Sequence, residues 1–138
     1  VDADHFKAAN DRLGHQVGDQ ALRHLARTLR KNMRGNEPIY RFGGEEFVVL
    51  LQTHSAEDAR RAAQRLVDAV RAALLPLQQN ESLGLSVTIG LTQVQDEDDL
   101  SSALQRADQA MYAGKQAGRN RFVLQDAPAQ PPLAQRAC

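Results

Sequence analysis

Arg41-Phe42-Gly43-Gly44-Glu45-Glu46-Phe47 sets two adjacent carboxylates directly behind two adjacent glycines. Neighbouring carboxylates repel, and burial raises the cost of their charge, so a chain that gathers them at a turn usually has a cation to hold. Glycine beside them lets the backbone approach a bulky anionic ligand. An acidic hairpin tip standing in solvent is the competing reading. Asp2 and Asp4 form a second acidic pair at the start of the chain. Hard divalent cations such as Mg2+ take one or two carboxylates together with substrate phosphates. Asp2 at a strand end beside Glu45 at a hairpin turn would supply such a pair, although surface acids sharing no site fit the same spacing.

His5, Phe6, Lys7, Asn10, Asp11, His15 and Asp19 make a dense, mostly polar segment. Lys7 suits a phosphate as a point charge, and Asn10 and Asp19 suit a base edge, the amide offering donors and the carboxylate accepting them. A solvated helix face with an Asp cap accounts for the same residues. Lys115 and Arg119 are four apart and share a face if their helix extends that far. They read either as a phosphate clamp or as ordinary partners of the helix dipole. No second histidine stands at metal spacing to His15, and His5, His24 and His54 read as structural in the same way.

The elements that must position these residues follow from periodicity. Residues 39–52 predict a hairpin with Gly43-Gly44 as its tight turn and Glu45 and Glu46 on opposite faces of the outgoing strand. Residues 1–4 are a strand stub, and His5 to Leu13 a short helix stopped by Gly14. From Gly18, Leu22, Leu25, Ala26, Leu29 and Met33 recur at helical spacing with Arg23, Arg27, Arg30 and Lys31 opposite, until Gly35-Asn36-Glu37-Pro38. Ser55 to Asp58 starts a long helix that Pro76 ends. After a loop at Asn80 to Gly84, Leu85, Val87, Ile89 and Leu91 alternate with small or polar residues as a half-buried strand. Asp96 to Asp99 suits the positive end of a last helix with Gly118 as its C-cap, and Phe122 to Leu124 is a final strand. The order β-α-α-β-β-α-β-α-β predicts an α/β domain, an α+β sandwich with covering helices and open strand order.

Seventeen basic and seventeen acidic residues cancel, which argues against nucleic acid or membrane contact through a global field and makes any phosphate site local. A chain of 138 residues is one domain of ordinary size. Its apolar runs are too short to span a bilayer, and its start lacks the regions of a signal peptide. The lone cysteine, Cys138, excludes an internal disulfide or a Cys-type zinc site, so a soluble protein of the cytoplasm is expected. Three of the five prolines lie beyond Asp126 among Ala and Gln, predicting a domain over 1–125 and a disordered tail over 126–138.

Taken together, four ordered blocks resemble the GGDEF family, the diguanylate cyclases. They are Asp2-x-Asp4-His5-Phe6-Lys7-x-x-Asn10-Asp11-x-x-Gly14-His15-x-x-Gly18-Asp19, the GGEEF hairpin, Ser86-Val87-Thr88-Ile89-Gly90, and Ala107-Asp108-x-Ala110-Met111-Tyr112-x-x-Lys115-x-x-Gly118-Arg119-Asn120. The resemblance implies a palm-like domain that condenses two GTP into cyclic di-GMP and two pyrophosphates, as a homodimer with facing sites. It implies Mg2+ (or Mn2+) on Asp2, Glu45 and the Ala3 carbonyl, with Glu46 as a further ligand or an aid to deprotonating the attacking 3′-hydroxyl. Asn10 and Asp19 would recognise guanine, Lys7, Lys115 and Arg119 the phosphates, and Gly43 and Gly44 would lie against the substrate. An upstream sensory or receiver domain is implied, with this stretch as the cytoplasmic part of a larger sensor.

The sequence departs from the family's pattern twice. The usual N-terminal helix, most of the first strand and an Asp-x-Leu-Thr-Gly-Leu-x-Asn-Arg-like segment are absent, predicting an N-terminally truncated domain of poor activity by itself. The inhibitory Arg-x-x-Asp motif stands as Arg34-Gly35-Asn36-Glu37, predicting weakened feedback. Two alternatives are a catalytically silent GGDEF-like module that binds GTP or cyclic di-GMP for regulation, and a general nucleotidyl transferase or adenylate cyclase. Both glycines and both acids of the signature weigh against the first, Asn10 and Asp19 against the second.

Overall fold

A computed structural model of the chain describes residues 1–126; the expected tail, but for its first residue, lies outside the described residues. The organising strand of its main sheet is the shortest there. Asp2–Ala3 (β1) runs antiparallel to a strand on either side, its Asp2 paired with Glu46 and with Thr88. Helices Phe6–Leu13 (α1) and His15–Lys31 (α2) follow, then the hairpin Ile39–Gly43 (β2) and Glu46–Val49 (β3), and helix Ala56–Ala72 (α3). Leu75–Pro76 (β4) and Ser82–Leu83 (β5) pair as a small separate ribbon. Val87–Leu91 (β6), Leu100–Gln116 (α4) and Arg121–Leu124 (β7) form a β-α-β unit whose strands are parallel. The five-stranded sheet has the order β2-β3-β1-β6-β7.

The sheet is covered on both faces where it matters. Ala3, Phe47, Val87 and Ile89 join Leu22, Leu25 and Leu29 of α2 and Leu66, Val67 and Val70 of α3 in one buried cluster. On the opposite face, Thr88 and Gly90 lie directly under α4, against Gly114 and against Ala107 and Met111. Double coverage explains why Val87, Thr88 and Ile89 are all buried. The sequence's alternation predicted a strand with one wet face; its small and hydroxyl positions serve instead to let a helix come close.

Several boundaries move for local reasons. α2 starts at His15 and not at Gly18, because Gly14, at φ 92, makes the whole break between α1 and α2. α3 stops at Ala72, ahead of Pro76, which is free to sit in the β4–β5 ribbon. In the hairpin, Gly43 still pairs with Glu46, so the tight turn is Gly44-Glu45 and not Gly43-Gly44. Gly44 alone has the positive φ, 45, that such a turn demands. Glu45 therefore belongs to the turn, and Glu46 is the first residue of the outgoing strand.

The connection from β6 to α4 is fastened by a buried polar network. Arg106 and Asp98 pair through two hydrogen bonds of 2.6 and 3.0 Å, and the same guanidinium donates to Thr92 Oγ1 and to the Gln93 carbonyl. The hydrogen bond from Arg106, then those from the Gln95 amide and the Ser102 hydroxyl, hold the Asp98 carboxyl well below the usual carboxylate range. A depressed acid pKa contributes stability above the unfolded pKa, and loses it as pH falls through the folded value. Asp98→Asn is therefore expected to lower the melting temperature at pH 7 by several degrees. The gap from the wild type should close as pH drops below about 4, and a gap of constant size between pH 7 and pH 2 in thermal melts would remove Asp98 from the acid-sensitive set.

Candidate functional site

Pairing of Asp2 with Glu46 puts both side chains on the same face of the sheet, at the end where β1 meets the hairpin turn. The Ala3 amide donates to the Glu45 carbonyl at 3.2 Å, which ties the turn to the strand. Residues far apart in the sequence are thus neighbours: Asp2, Ala3, Glu45 and Glu46. Asp2 is buried, at 5 % exposure, and Lys115 from the last turn of α4 contacts its Oδ2. The hydrogen bond to Asp2 raises the Lys115 pKa. Burial first, then the Asp2 and Asp108 charges, push the Glu46 carboxyl upward. Glu45 is half-buried and its side chain has no hydrogen-bond or ion-pair partner among the described residues. Arg41 caps the hairpin tip by donating from Nε and Nη2 to the Gly44 carbonyl at 3.1 and 2.9 Å.

Asp2 Oδ1 is buried with no hydrogen-bond partner. An unpartnered carboxylate oxygen in the interior is costly, and a cation is what most directly satisfies it. Among the described residues no three His, Cys, Asp or Glu side chains are gathered as a preformed cage. That combination fits a hard cation of the Mg2+ type, which uses one or two carboxylates and leaves its remaining positions to phosphate and water.

Lys7 is exposed on α1, and the first turn of α1 has no side-chain cap. Asn10, half-buried, sits against Gly18 of α2, and its Nδ2 is 3.1 Å from His15 Nδ1. A Cβ at position 18 would overlap Asn10 Oδ1. Asp19 is exposed one residue further on. Beside them opens a cleft of about 440 Å³ between α1, the start of α2 and the stretch leading into β6, lined by Phe6, Ala9, Gly18, Leu85 and Ser86 among others. Its apolar wall beside polar groups suits a flat heterocycle.

Gly43 and Gly44 are exposed at the hairpin tip, where a Cβ on either would meet open space. Lys115 and Arg119 do not share a helix face, because α4 ends at Gln116. Arg119 stands in a left-handed corner, φ 64, after Gly118. Arg34 and Glu37 lie at the far end of the hairpin from Gly44. Glu37 is buried, and its carboxylate accepts from the Arg34 and Gln52 amides at 2.8 and 2.7 Å. A shallow groove lies nearby between α2 and α3, lined by Asn32, Arg61, Gln64 and Arg65 among others.

Two residues matter more to this region than the sequence suggested. Asp108 on α4 influences Glu46 electrostatically, and Asp4, read only as one more acid, braces three segments. Both stand in the motif blocks of the sequence, but nothing local gives their partners, since each acts across the fold.

Residues 1–121 match the family described as "Diguanylate cyclase, GGDEF domain". The chain is 42% identical over 122 residues to diguanylate cyclase DgcP of Pseudomonas aeruginosa, covering 88% of this chain and 18% of that protein. It is 39% identical over 126 residues to diguanylate cyclase DgcZ of Escherichia coli, covering 91% and 42% respectively. The chain thus spans less than half the length of either relative. Among solved structures, diguanylate cyclase SiaD of Pseudomonas aeruginosa in complex with its activator SiaC superposes with a TM-score of 0.85 at 33% identity, covering 90% of this chain and 47% of that one. The GGDEF domain of DgcB from Caulobacter crescentus in complex with c-di-GMP gives 0.82 at 32% identity, covering 89% and 73%.

Proposed function

The chain belongs to the GGDEF family, and on that basis we propose that it condenses two GTP into cyclic di-GMP. In each half-reaction the 3′-hydroxyl of one GTP attacks the α-phosphorus of the other, forming the new P–O bond and releasing pyrophosphate and a proton. The observation that carries this reading is the Asp2 oxygen buried without a partner, beside the Glu45-Glu46 turn and under Lys115.

Phosphoryl transfer asks the protein for positioning and charge neutralisation, and little covalent chemistry. Asp2, Glu45, Glu46 and the Ala3 carbonyl would hold Mg2+ or Mn2+, which when bound supplies charge stabilisation at the transferring phosphate. Lys7, Lys115 and Arg119 would bind phosphates, Asn10 and Asp19 would read guanine at the cleft beside α1, and Glu46 would also help to deprotonate the attacking hydroxyl. The backbone of Gly43 and Gly44 would approach the substrate. One such site per subunit requires a homodimer with facing sites. The short span of the relatives that this chain covers supports a sensory or receiver domain elsewhere in the protein. No helix among the described residues is long and apolar enough to cross a membrane, which is compatible with action in the cytoplasm. Feedback at Arg34 and Glu37 should be weak, since Glu37 must release two backbone amides to reach a ligand.

Incubating the full-length protein with equal GTP and ATP and Mg2+, followed by mass spectrometry, tests the reading. Guanine offers N1 and N2 donors to Asp19 that adenine lacks, and a polar site rejects the analogue that leaves it unpaired. Almost pure di-guanosine product is expected. Nucleotide binding without product would mark a silent module, and appreciable mixed or di-adenosine product would sink the base assignment.

Gly18→Ala gives a second check on the same cleft. The added Cβ displaces the Asn10 carboxamide, so the KM for GTP should rise roughly tenfold or more as one polar contact is lost. Replacing glycine inside a helix favours folding by up to about 1 kcal/mol, so the melting temperature should hold or rise. An unchanged KM would take Asn10 out of guanine recognition.

A further inference from the structure

Asp4 is used by nothing in the proposed reaction, yet donors from two other parts of the chain converge on it. Its Oδ2 accepts from Ser86 Oγ at 2.7 Å and from the Asn120 backbone amide at 2.9 Å, and its Oδ1 accepts from Thr88 Oγ1 at 2.6 Å. The Asp4 amide itself donates to the Ser86 carbonyl at 2.9 Å. One carboxylate just past β1 thereby joins β1 to β6 and to the corner between α4 and β7. Hydrogen bonds to an ionised acceptor are roughly twice as strong as neutral ones.

That corner needs an anchor. Gly118, Arg119 and Asn120 have φ of 119, 64 and 53 in succession, a left-handed path that a side chain as large as arginine's adopts only when its surroundings over-determine it. The Gly118 and Arg119 amides close back onto α4, at the Lys115 and Gly114 carbonyls. Among the described residues it is the Asn120 amide on Asp4 that fastens the corner to β1, the strand that carries Asp2.

We propose that Asp4 is a positioning residue: it locks the Gly118–Asn120 corner onto β1, so that Arg119, Lys115 and Asp2 share one rigid frame for a polyphosphate. The proposal rests on the reading of Arg119 and Lys115 as phosphate-binding cations. Asp4 touches no substrate atom and acts only through the corner.

The test compares Asp4→Asn with Thr88→Val in the full-length protein. Asparagine keeps one acceptor oxygen, so it cannot serve all of the donors and loses the charge. Thr88→Val also removes a hydrogen bond to Asp4 but leaves the Asn120 link in place. Hydrogen exchange of the peptide over 117–121, read by mass spectrometry, should quicken about tenfold in Asp4→Asn and stay near wild type in Thr88→Val. Calorimetric affinity for inorganic pyrophosphate with Mg2+ should fall about tenfold in the first variant only, with the KM for GTP rising more than kcat falls. Unchanged exchange at the corner, a loosened corner with unchanged pyrophosphate affinity, or equal weakening by Thr88→Val each overturns the proposal. A wild type that binds no pyrophosphate overturns it together with the phosphate-site reading. A wild type that binds pyrophosphate but makes no cyclic di-GMP overturns the cyclase reading alone, since exchange and affinity are measured without turnover.

Discussion

Glu45→Ala in the full-length protein is expected to cut cyclic di-GMP synthesis by about a thousandfold or more while the circular dichroism spectrum and melting temperature stay those of the wild type. The size follows from the chemistry, because charge stabilisation at a transferring phosphate is worth several kcal/mol, and each 1.36 kcal/mol is about a factor of ten in rate. The silence in stability follows from the structure. Glu45 stands in the turn, half-buried and without a side-chain partner among the described residues, and the turn's backbone demand falls on Gly44. Truncation at such a position usually changes stability by no more than about 0.5 kcal/mol. Asp2→Ala would be a poorer probe, because it also strips Lys115 of its partner and opens a hole beside β6. Cyclase activity within a few-fold of wild type, with the spectrum unchanged, would show that Glu45 holds no metal.

Each half of the Asp2–hairpin pair was legible as a local pattern, acids at a strand stub and acids behind glycines, but spacing left open whether the halves meet; the resemblance implied it, and the pairing of Asp2 with Glu46 brings them together. The exact turn was not, since Gly43-Gly44 and Gly44-Glu45 differ by one register step that only the observed pairing of Gly43 with Glu46 decides. α3 and α4 were readable from their stripes, from Ser55 at the start of one and from the acidic cluster at Asp96 to Asp99 ahead of the other, within which Asp99 is the residue that caps. The β4–β5 ribbon was missed because two residues per strand carry no alternation. Arg119 would have shared a helix face with Lys115 only if α4 extended that far; α4 ends at Gln116, and Gly118, read as its C-cap, turns the chain away first. Glu37 was likened to a ligand-binding aspartate by position in a motif; in the fold its carboxylate accepts from two backbone amides, one of them fifteen residues away at Gln52 and outside any local window. Asp4 illustrates the general limit. Its partners at positions 86, 88 and 120 are contacts of topology, and no window of sequence contains them.

Gly90→Ala is expected to be the most damaging of the glycine-to-alanine changes in this domain. In the sequence Gly90 was only the last letter of the Ser86-to-Gly90 block. In the fold it is the place where β6 and α4 touch backbone to backbone: a Cβ there would overlap the Ala107 carbonyl and come within 2.6 Å of the Met111 amide and 2.9 Å of its Cβ. These are atoms of a hydrogen-bonded helix, and no rotamer change can move them aside as one can at Gly18. Overpacking normally costs 1–3 kcal/mol, and with rigid backbone on one side about 3–5 kcal/mol is expected, a large share of the roughly 5–15 kcal/mol that keeps a domain folded. The melting temperature should fall by about 10 °C or more. Gly43→Ala is the control, because a Cβ there meets nothing within 4 Å and the melt should barely move. If Gly90→Ala stays folded by lifting α4, Lys115 leaves Asp2 with it, so any surviving protein should bind pyrophosphate poorly. A Gly90→Ala protein with wild-type melting and wild-type pyrophosphate affinity would mean that α4 does not dock on β6 at this register, and the placement of Lys115 over Asp2 would fall with it.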